Sequence, residues 1–374
     1  MEFTKEMLSQ ICVIIPSYEP DEKLLPTVNE LYANGISDII IVNDGSSENC
    51  KPIFEKVKKL SFVTYLEHKV NSGKGVALKT AFDYVLKKRS DSLGVITADG
   101  DGQHLTKDII ACIKKMLETE SVVLGCRDFS LPDVPERSRK GNNITRNVFK
   151  KVFKIDISDT QTGLRAFPMK YLPDMLETEG ERYEYENKML LTLRDRKIPF
   201  CEQKIDTVYI EENKTSHFRP VADSLRIYYH LFSGFIKYVA SSLFCVIVEN
   251  ILQTVLHDIL KIGVESAGEG FLSTVLVELV DFLPARLLAS LLNYYINKHF
   301  VFKSRKHTEG AFKRYVVLWA IQAVVTLFCI AGLELLLGGT GGIVYFLIIS
   351  VVKTAIFFAS YTVQKKWVFA DKKD

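Results

Sequence analysis

The chain changes character near residue 230. Before that point charged and apolar residues are mixed, as in a water-soluble domain. Beyond it Leu, Val, Ile, Phe and Ala dominate. Four stretches, about 236–258, 271–297, 313–337 and 342–363, are long enough to cross a bilayer, which needs about 20 mostly apolar residues in a helix. A chain of 374 residues with this split cannot bury everything in one core, so two or more domains are expected. The formal net charge of +3 is too small to recommend nucleic acid as a partner. The opening MEFTKEMLSQ has no basic segment followed by an apolar one, so no signal peptide is expected. The seven cysteines form no CxxC pairs and read as reduced thiols, not as a disulfide frame or a zinc site.

In the first half, short apolar runs alternate with helical patterns. ICVII (11–15), DIIIVN (38–43), FVTYLE (62–67), LGVITA (93–98) and SVVLGC (121–126) are the strands. Helices are expected near 21–34, 49–60, 75–88 and 106–119. Strands separated by helices imply right-handed crossovers and a mainly parallel sheet, with ligands outside the carboxyl ends of the strands. Those ends carry Pro16-Ser17-Tyr18-Glu19, Asn43-Asp44-Gly45-Ser46, Asp99-Gly100-Asp101 and Gly125-Cys126-Arg127.

VITADGDGQH (95–104) ends a buried run on two carboxylates one residue apart. Two like charges this close repel unless a positive group lies between them. A calcium loop is excluded, because its sixth and twelfth positions are His104 and Ile110 where Gly and Glu are required. Mg²⁺ or Mn²⁺, held by one or two carboxylates plus substrate phosphates, fits better, with Gln103 as a further oxygen ligand. No dinucleotide or P-loop fingerprint follows the first strand. NSGKG (71–75) reads either as a turn into a helix or as backbone and Lys74 facing a nucleotide or phosphate. LGCRDFSLPDVPERSRKGNNITR (124–146) is rich in arginine. It is either a solvated loop or a phosphate clamp, since guanidinium suits bidentate phosphate recognition.

ICVIIPSYEP, IIIVNDGSSEN, NSGKGVALKTAF, TADGDGQH and SDTQTGLRAFP, in this order, resemble the family 2 glycosyltransferases. The likeness is greatest to dolichyl-phosphate mannose or glucose synthases and bacterial polyprenyl-phosphate glycosyltransferases, and it covers roughly residues 10–230. It implies a GT-A fold, a nucleotide-sugar donor, a divalent metal and inversion at the anomeric carbon. By resemblance Pro16, Tyr18, Glu19, Asp44, Lys74, Asp99 and Gly100 would bind the nucleotide sugar. Asp101 and Gln103 would hold the metal. Arg127, Arg139 and Asn143 would bind the acceptor phosphate. Asp99, Asp101, Asp159 and Gln161 would be catalytic, the last two orienting acceptor or sugar. Asn43 departs from relatives that carry a second Asp there. Glu186, in YEYEN, is open between a sugar contact and a helix-surface role. The family's chemistry needs no general base, because a lipid phosphate is largely ionised near neutral pH.

The apolar half contains an internal repeat. FIKYV (235–239) aligns with FKRYV (312–316) at an offset of 77, and LNYYINKHFVF (292–302) with ASYTVQKKWVF (359–369) at an offset of 67. Each copy is two helices, so the repeat is parallel. Lys and Arg cluster between the copies, which puts both chain ends and the catalytic half in the cytoplasm. Arg286 and Lys353 occupy equivalent places, each roughly 12 Å along a helix before a tyrosine. They read as a structural ion pair with Glu249, Glu278 or Asp281, or as a polar path for a lipid head group. This half resembles GtrA-like membrane domains.

The expected fold class is therefore an α/β GT-A domain (Rossmann-like, mainly parallel sheet) over 1–218. An amphipathic interfacial linker over 219–235 follows, then an all-α, four-helix transmembrane domain over 236–374. The expected activity is inverting transfer of a sugar, UDP-glucose favoured as donor, to undecaprenyl or dolichyl phosphate at the cytoplasmic membrane face. The alternative is a protein that transports or flips lipid-linked sugar and whose glycosyltransferase half only binds. A processive polysaccharide synthase is disfavoured, because QKKW (364–367) lacks the Arg of the QxxRW signature. The expected partners are nucleotide sugar, polyprenyl phosphate and membrane, with no nucleic acid; self-association is left open.

Overall fold

The computed structural model describes residues 4–132, 134–206, 220–255, 283–302, 310–337 and 343–370. Residues 207–219, the first part of the second apolar stretch with Glu278 and Asp281, and the loops 303–309 and 338–342 lie outside the described residues. So do the side chains of Arg137 and Lys353. Two compact units divide the chain, Met1–Leu231 and Phe232–Asp374.

The first unit is built on a seven-stranded sheet in the order β3-β2-β1-β4-β6-β5-β7. Its strands are β1 (Ile11–Ser17), β2 (Asp38–Asp44), β3 (Val63–His68), β4 (Gly94–Thr97), β5 (Val122–Arg127), β6 (Arg165–Pro168) and β7 (Phe200–Ile205). A short α1 (Lys5–Leu8) precedes the sheet. The crossovers are α2 (Leu24–Ala33), α3 (Lys51–Lys58), α4 (Lys74–Lys88) and α5 (Thr106–Thr119). α6 (Glu136–Val148), α7 (Leu172–Leu176) and α8 (Glu184–Asp195) complete the unit. All five expected strands and all four expected helices form. β1 and β2 read as unbroken apolar runs because helices cover both faces of the sheet; Ile11, Val13, Ile14, Ile15, Ile39, Ile40 and Ile41 have no exposed surface.

β6 was not anticipated, and it positions the site. It runs antiparallel to both β4 and β5. Its first residue, Arg165, therefore lies opposite Thr97 at the carboxyl end of β4 and opposite Leu124 of β5. This places the preceding residues, 159–164, at the edge where β1, β2, β4 and β5 end. The Thr97 hydroxyl donates to the Gly163 carbonyl at 2.7 Å, and the Gly125 amide donates to the Leu164 carbonyl at 2.9 Å.

The segment read as a linker is not a separate element. It begins α9, one helix of 35 residues, Pro220–Thr254. Within it Leu225–Thr254, which contains an 18-residue stretch with a mean hydropathy of 1.9, is long and apolar enough to cross a membrane, and it is the one such helix among the described residues. α10 (Leu283–Ile296), α11 (Ala311–Leu337) and α12 (Ile343–Val363) follow. Arg286 is exposed and has no ion pair with a described residue.

The second unit confirms the repeat through reciprocal contacts. Tyr294 packs on Phe312 and Tyr315, at 5.3 and 5.2 Å between ring centroids. Its counterpart Tyr361 packs on Phe235 and Tyr238, at 5.1 and 5.2 Å. Equivalent residues also meet each other. Phe302 stacks on Phe369 at 5.1 Å, and Asn297 donates to Gln364 Oε1 at 3.0 Å. Each copy ends in a single π turn, Asn297–Val301 and Gln364–Val368. Pairs of like positions across one seam define a pseudo-two-fold axis, as in an isologous dimer. The buried amides are satisfied: Ser241 donates to Asn297 Oδ1 at 2.7 Å and Gln364 donates to Ser360 Oγ at 3.1 Å, as polar side chains inside an apolar bundle must be.

Candidate active site

Two cavities open at the carboxyl edge of the sheet. The first, about 330 Å³, is lined by residues 16–21 after β1, Asp44, Asn71, Gly73, Lys74, Ala77, Asp99, Gly100, Asp101, Arg182 and Tyr183. Pro16, Tyr18, Glu19, Asp44, Lys74, Asp99, Gly100 and Asp101 are thus brought together from the ends of three strands, β1, β2 and β4, and the start of α4. The second cavity, about 620 Å³, is lined by Cys126 to Ser130, Arg139, Asn142, Asn143, Arg146, Ser158, Glu202 and Lys204.

In the first cavity, a buried Asp44 fixes the 71–75 turn. Its carboxylate accepts from the Ser72 and Gly73 amides at 2.9 and 2.7 Å and faces His68 Nδ1 at 2.7 Å. It shapes the wall through these bonds and also lines the cavity. Gly73 has φ +104 and leaves no room for a Cβ, which would meet Arg182 Cγ at 2.5 Å; only glycine enters this conformation readily. Asn43 turns toward β3. Its Nδ2 donates to Tyr65 Oη at 2.9 Å and Glu67 Oε1 at 3.1 Å, and its Oδ1 accepts from Ser46. Glu19, itself in the left-handed region at φ 48, accepts from the Ser47 hydroxyl at 2.9 Å. Tyr18 stands exposed at the mouth.

Lys74 bridges Asp99 and Glu186. Its Nζ lies 2.8 Å from Asp99 Oδ1 and 2.9 Å from Glu186 Oε1. Burial opposes the ammonium charge, but Asp99 and Glu186 outweigh it and hold Lys74 above its ordinary value. Burial likewise raises Asp99, and Lys74 and then His104 bring it down to about 2. Asp101 is pushed up by burial and then by the charge of Asp99. The Asp99 amide donates to His104 Nδ1 at 2.9 Å, and burial keeps this imidazole below its usual value. Gln103 presents its backbone amide to Asp101 Oδ1 at 3.0 Å. Among the described residues no three His, Cys, Asp or Glu side chains form a metal cluster. Asp99 and Asp101 nevertheless line the cavity with hard oxygen donors, which suits a divalent cation completed by phosphate and water.

The second cavity reverses the signs. Asp159 has no exposed surface and lies beneath Arg127. Its carboxylate accepts from Arg127 Nε at 2.8 Å and Nη2 at 3.2 Å, and from the Gln161 amide at 2.9 Å. Asp159 thus orients Arg127 from a buried position, and Gln161 is exposed. Arg139 directs Nε to the Phe129 carbonyl at 3.0 Å and Nη2 to the Leu131 carbonyl at 2.8 Å. It braces the 128–134 loop as well as lining the cavity, because bare carbonyls there need donors. Asn143 and Arg146 reach the cavity from α6, both exposed. Asn142 points inward and donates to the Ser158 carbonyl at 2.7 Å. The cavities share a neighbour, since the charge of Arg127 also helps lower Asp99.

Two residues were missed or left open. Glu186 is part of the site, not of a helix surface. Arg165 is fully buried; its Nε donates to the Thr162 carbonyl at 3.0 Å and its Nη1 to the Glu186 carbonyl at 2.5 Å, tying the 159–164 loop to α8. Its only sequence signal is the charge itself, set inside an apolar LRAFP run.

Residues 12–176 match the model of glycosyl transferase family 2, and the chain carries such a domain. It is 28% identical over 222 residues to the UDP-N-acetylglucosamine–dolichyl-phosphate N-acetylglucosaminyltransferase of Methanococcus voltae, covering 54% of this chain and 86% of that protein. It is 27% identical over 224 residues to an uncharacterized protein of Methanocaldococcus jannaschii, covering 56% and 90%. Among solved structures, mannosyl-3-phosphoglycerate synthase from Rubrobacter xylanophilus superposes with a TM-score of 0.48 at 12% identity, over 61% of this chain and 75% of that one.

Proposed function

We propose that the chain transfers a sugar from a UDP-sugar to the phosphate of a polyprenyl lipid, with inversion and with Mg²⁺ or Mn²⁺. The observation that carries this reading is the pairing of an anionic cavity with an arginine-lined one at a single sheet edge. A nucleoside diphosphate with its cation suits the first, and a lipid phosphate suits the second. The Methanococcus voltae relative, whose name specifies a UDP-sugar donor and dolichyl phosphate, supports the same donor and acceptor classes. UDP-glucose, favoured by the sequence, and UDP-N-acetylglucosamine are the two leading donors.

In this reading a phosphate oxygen of the lipid forms the new bond to the anomeric carbon. The bond from that carbon to the diphosphate breaks, and UDP leaves with the electron pair. No general base is required, because the lipid phosphate is largely deprotonated. Asp159 holds the Arg127 guanidinium flat for the acceptor phosphate, with Arg146 and Asn143 beside it. Pro16, Tyr18 and Glu19 hold the nucleoside. Asp101, with Asp99 beside it and Gln103 near, would hold the metal, which when bound neutralises the charge of the leaving diphosphate. Catalysis is then positioning and charge complementarity.

The apolar half is proposed to be a four-span, GtrA-like membrane domain with the catalytic unit in the cytoplasm. The length and apolarity of Leu225–Thr254, the 27- and 21-residue helices α11 and α12 and the Lys and Arg between the repeats support this. The test is label transfer in membranes, with radiolabelled UDP-sugars, Mn²⁺ and polyprenyl phosphate. Metal-dependent label in the organic phase, lost in Asp101→Asn, is the expected result. No label from any donor, with folded protein and acceptor present, turns the reading toward binding or transport.

A further inference from the structure

Lys74 sits between two carboxylates that face different ways. Asp99 keeps 34% of its side-chain exposure and lines the first cavity; Glu186 keeps 12% and lies behind it. Three elements fix the trio. Lys74 opens α4 behind the turn that Asp44 holds, Asp99 follows β4, and Glu186 stands in the first turn of α8. Gly163 closes the arrangement, since a Cβ there would come within 2.7 Å of Asp99 Oδ2 and 3.0 Å of Lys74 Nζ. A side chain at 163 would crowd the ammonium, which also touches a second anion, Glu186, at 2.9 Å.

A donor bound with its divalent cation brings a new positive charge to Asp99 and Asp101. Without Glu186, Lys74 would then be a like charge beside the cation with its partner withdrawn. With Glu186 in contact, Lys74 keeps a counter-charge throughout. We propose that Lys74 is a resident counter-ion of the empty donor pocket, and that Glu186 is the positioning residue that takes up Lys74 when the cation engages Asp99. This rests on the reading of Asp99 and Asp101 as the donor–metal site. Lys74 competes with the cation for Asp99, and Glu186 moderates the competition.

Mn²⁺ binding to the purified full-length protein, followed by electron paramagnetic resonance with and without UDP, tests this without turnover. Without nucleotide, Lys74→Met should bind Mn²⁺ about five- to tenfold more tightly than the wild type, the range of a modest coupling between sites. Glu186→Gln should bind it several-fold more weakly, about the same scale in the other direction. In the double variant the Glu186 effect should vanish, because it acts through Lys74. Lys74→Gln replaces Lys74→Met if the latter does not fold. Unchanged affinity in both single variants overturns the proposal, as does a Glu186→Gln loss that persists in the double variant. If the wild type binds Mn²⁺ and Asp101→Asn does not, those results leave the donor reading intact. If the wild type binds no Mn²⁺ with or without UDP, the donor reading falls and the proposal with it.

Discussion

The two cavities of the catalytic unit are built on opposite charge plans. The first is lined by Glu19, Asp44, Asp99 and Asp101, with Lys74 bridging Asp99 to Glu186 behind it. The second gathers Arg127, Arg139 and Arg146 near one fully buried aspartate, Asp159. In the second, the minority charge, Asp159, lies deeper than Arg127 and orients it; in the first, Lys74 lies deeper than Asp99 but not than Glu186. The difference teaches where affinity for a ligand resides. An excess of carboxylate recruits a cation and what the cation carries; an excess of guanidinium recruits an anion directly. The minority charge keeps the excess from being a purely repulsive cluster.

The hardest test of this symmetry is removal of the buried aspartate. Asp159→Ala leaves Arg127 without its carboxylate and should cost about 3 kcal/mol or more of stability, the usual penalty for breaking a buried pair, read by thermal melting in detergent. It should also raise KM for the lipid phosphate. Gly163→Ala strikes the first cavity instead, pressing a methyl on Asp99 and Lys74. Overpacking of this kind costs about 1–3 kcal/mol. UDP-sugar binding by calorimetry should weaken at least tenfold while binding of the acceptor phosphate is kept. Arg146→Ala removes one charge-assisted donor from the second cavity. KM for the lipid phosphate should rise about fivefold, below the full value of such a bond because the side chain is exposed. Lys204→Ala breaks only an exposed pair with Asp128, and melting should be unchanged to within about a degree.

Acid sharpens the contrast inside the first cavity. Asp99, at about 2 against an ordinary 3.8, favours the folded state through its charged form. That contribution is complete above the ordinary value and is lost as pH falls toward about 2. Asp101 is shifted upward and takes its proton first. Melting temperature followed between pH 5 and pH 2, a window set roughly by the linkage of such carboxylates, should show an acid-induced loss that is much reduced in Lys74→Met.

Much of this was legible in the residues themselves. Strand ends such as Asn43-Asp44 and Asp99-Gly100-Asp101 follow apolar runs, and the parallel topology gathers them without any long-range information. The need for a positive group beside Asp99 was inferable and was read as a divalent cation; that Lys74 of NSGKG also reaches Asp99 was not. Less legible was β6, because four residues containing Arg and Pro show no alternation and its antiparallel insertion is a tertiary choice. Without β6, Asp159 and Gln161 cannot be placed, and Asp159 looked like a group facing substrate. Glu186 was ambiguous because its partner lies far away in sequence. In the apolar half, Tyr294 and Tyr361 announced the repeat. Asn297 and Gln364, the pair that meets on its axis, differ in type and were hidden by that difference.

The most direct measurement separates the two cavities kinetically. Initial rates of organic-extractable label would be taken across donor and lipid-phosphate concentrations for wild type, Glu19→Gln and Arg146→Ala. The account predicts that Glu19→Gln raises KM for the UDP-sugar alone and Arg146→Ala raises KM for the lipid phosphate alone. If Arg146→Ala altered donor KM and left acceptor KM unchanged, the second cavity would not be the acceptor site.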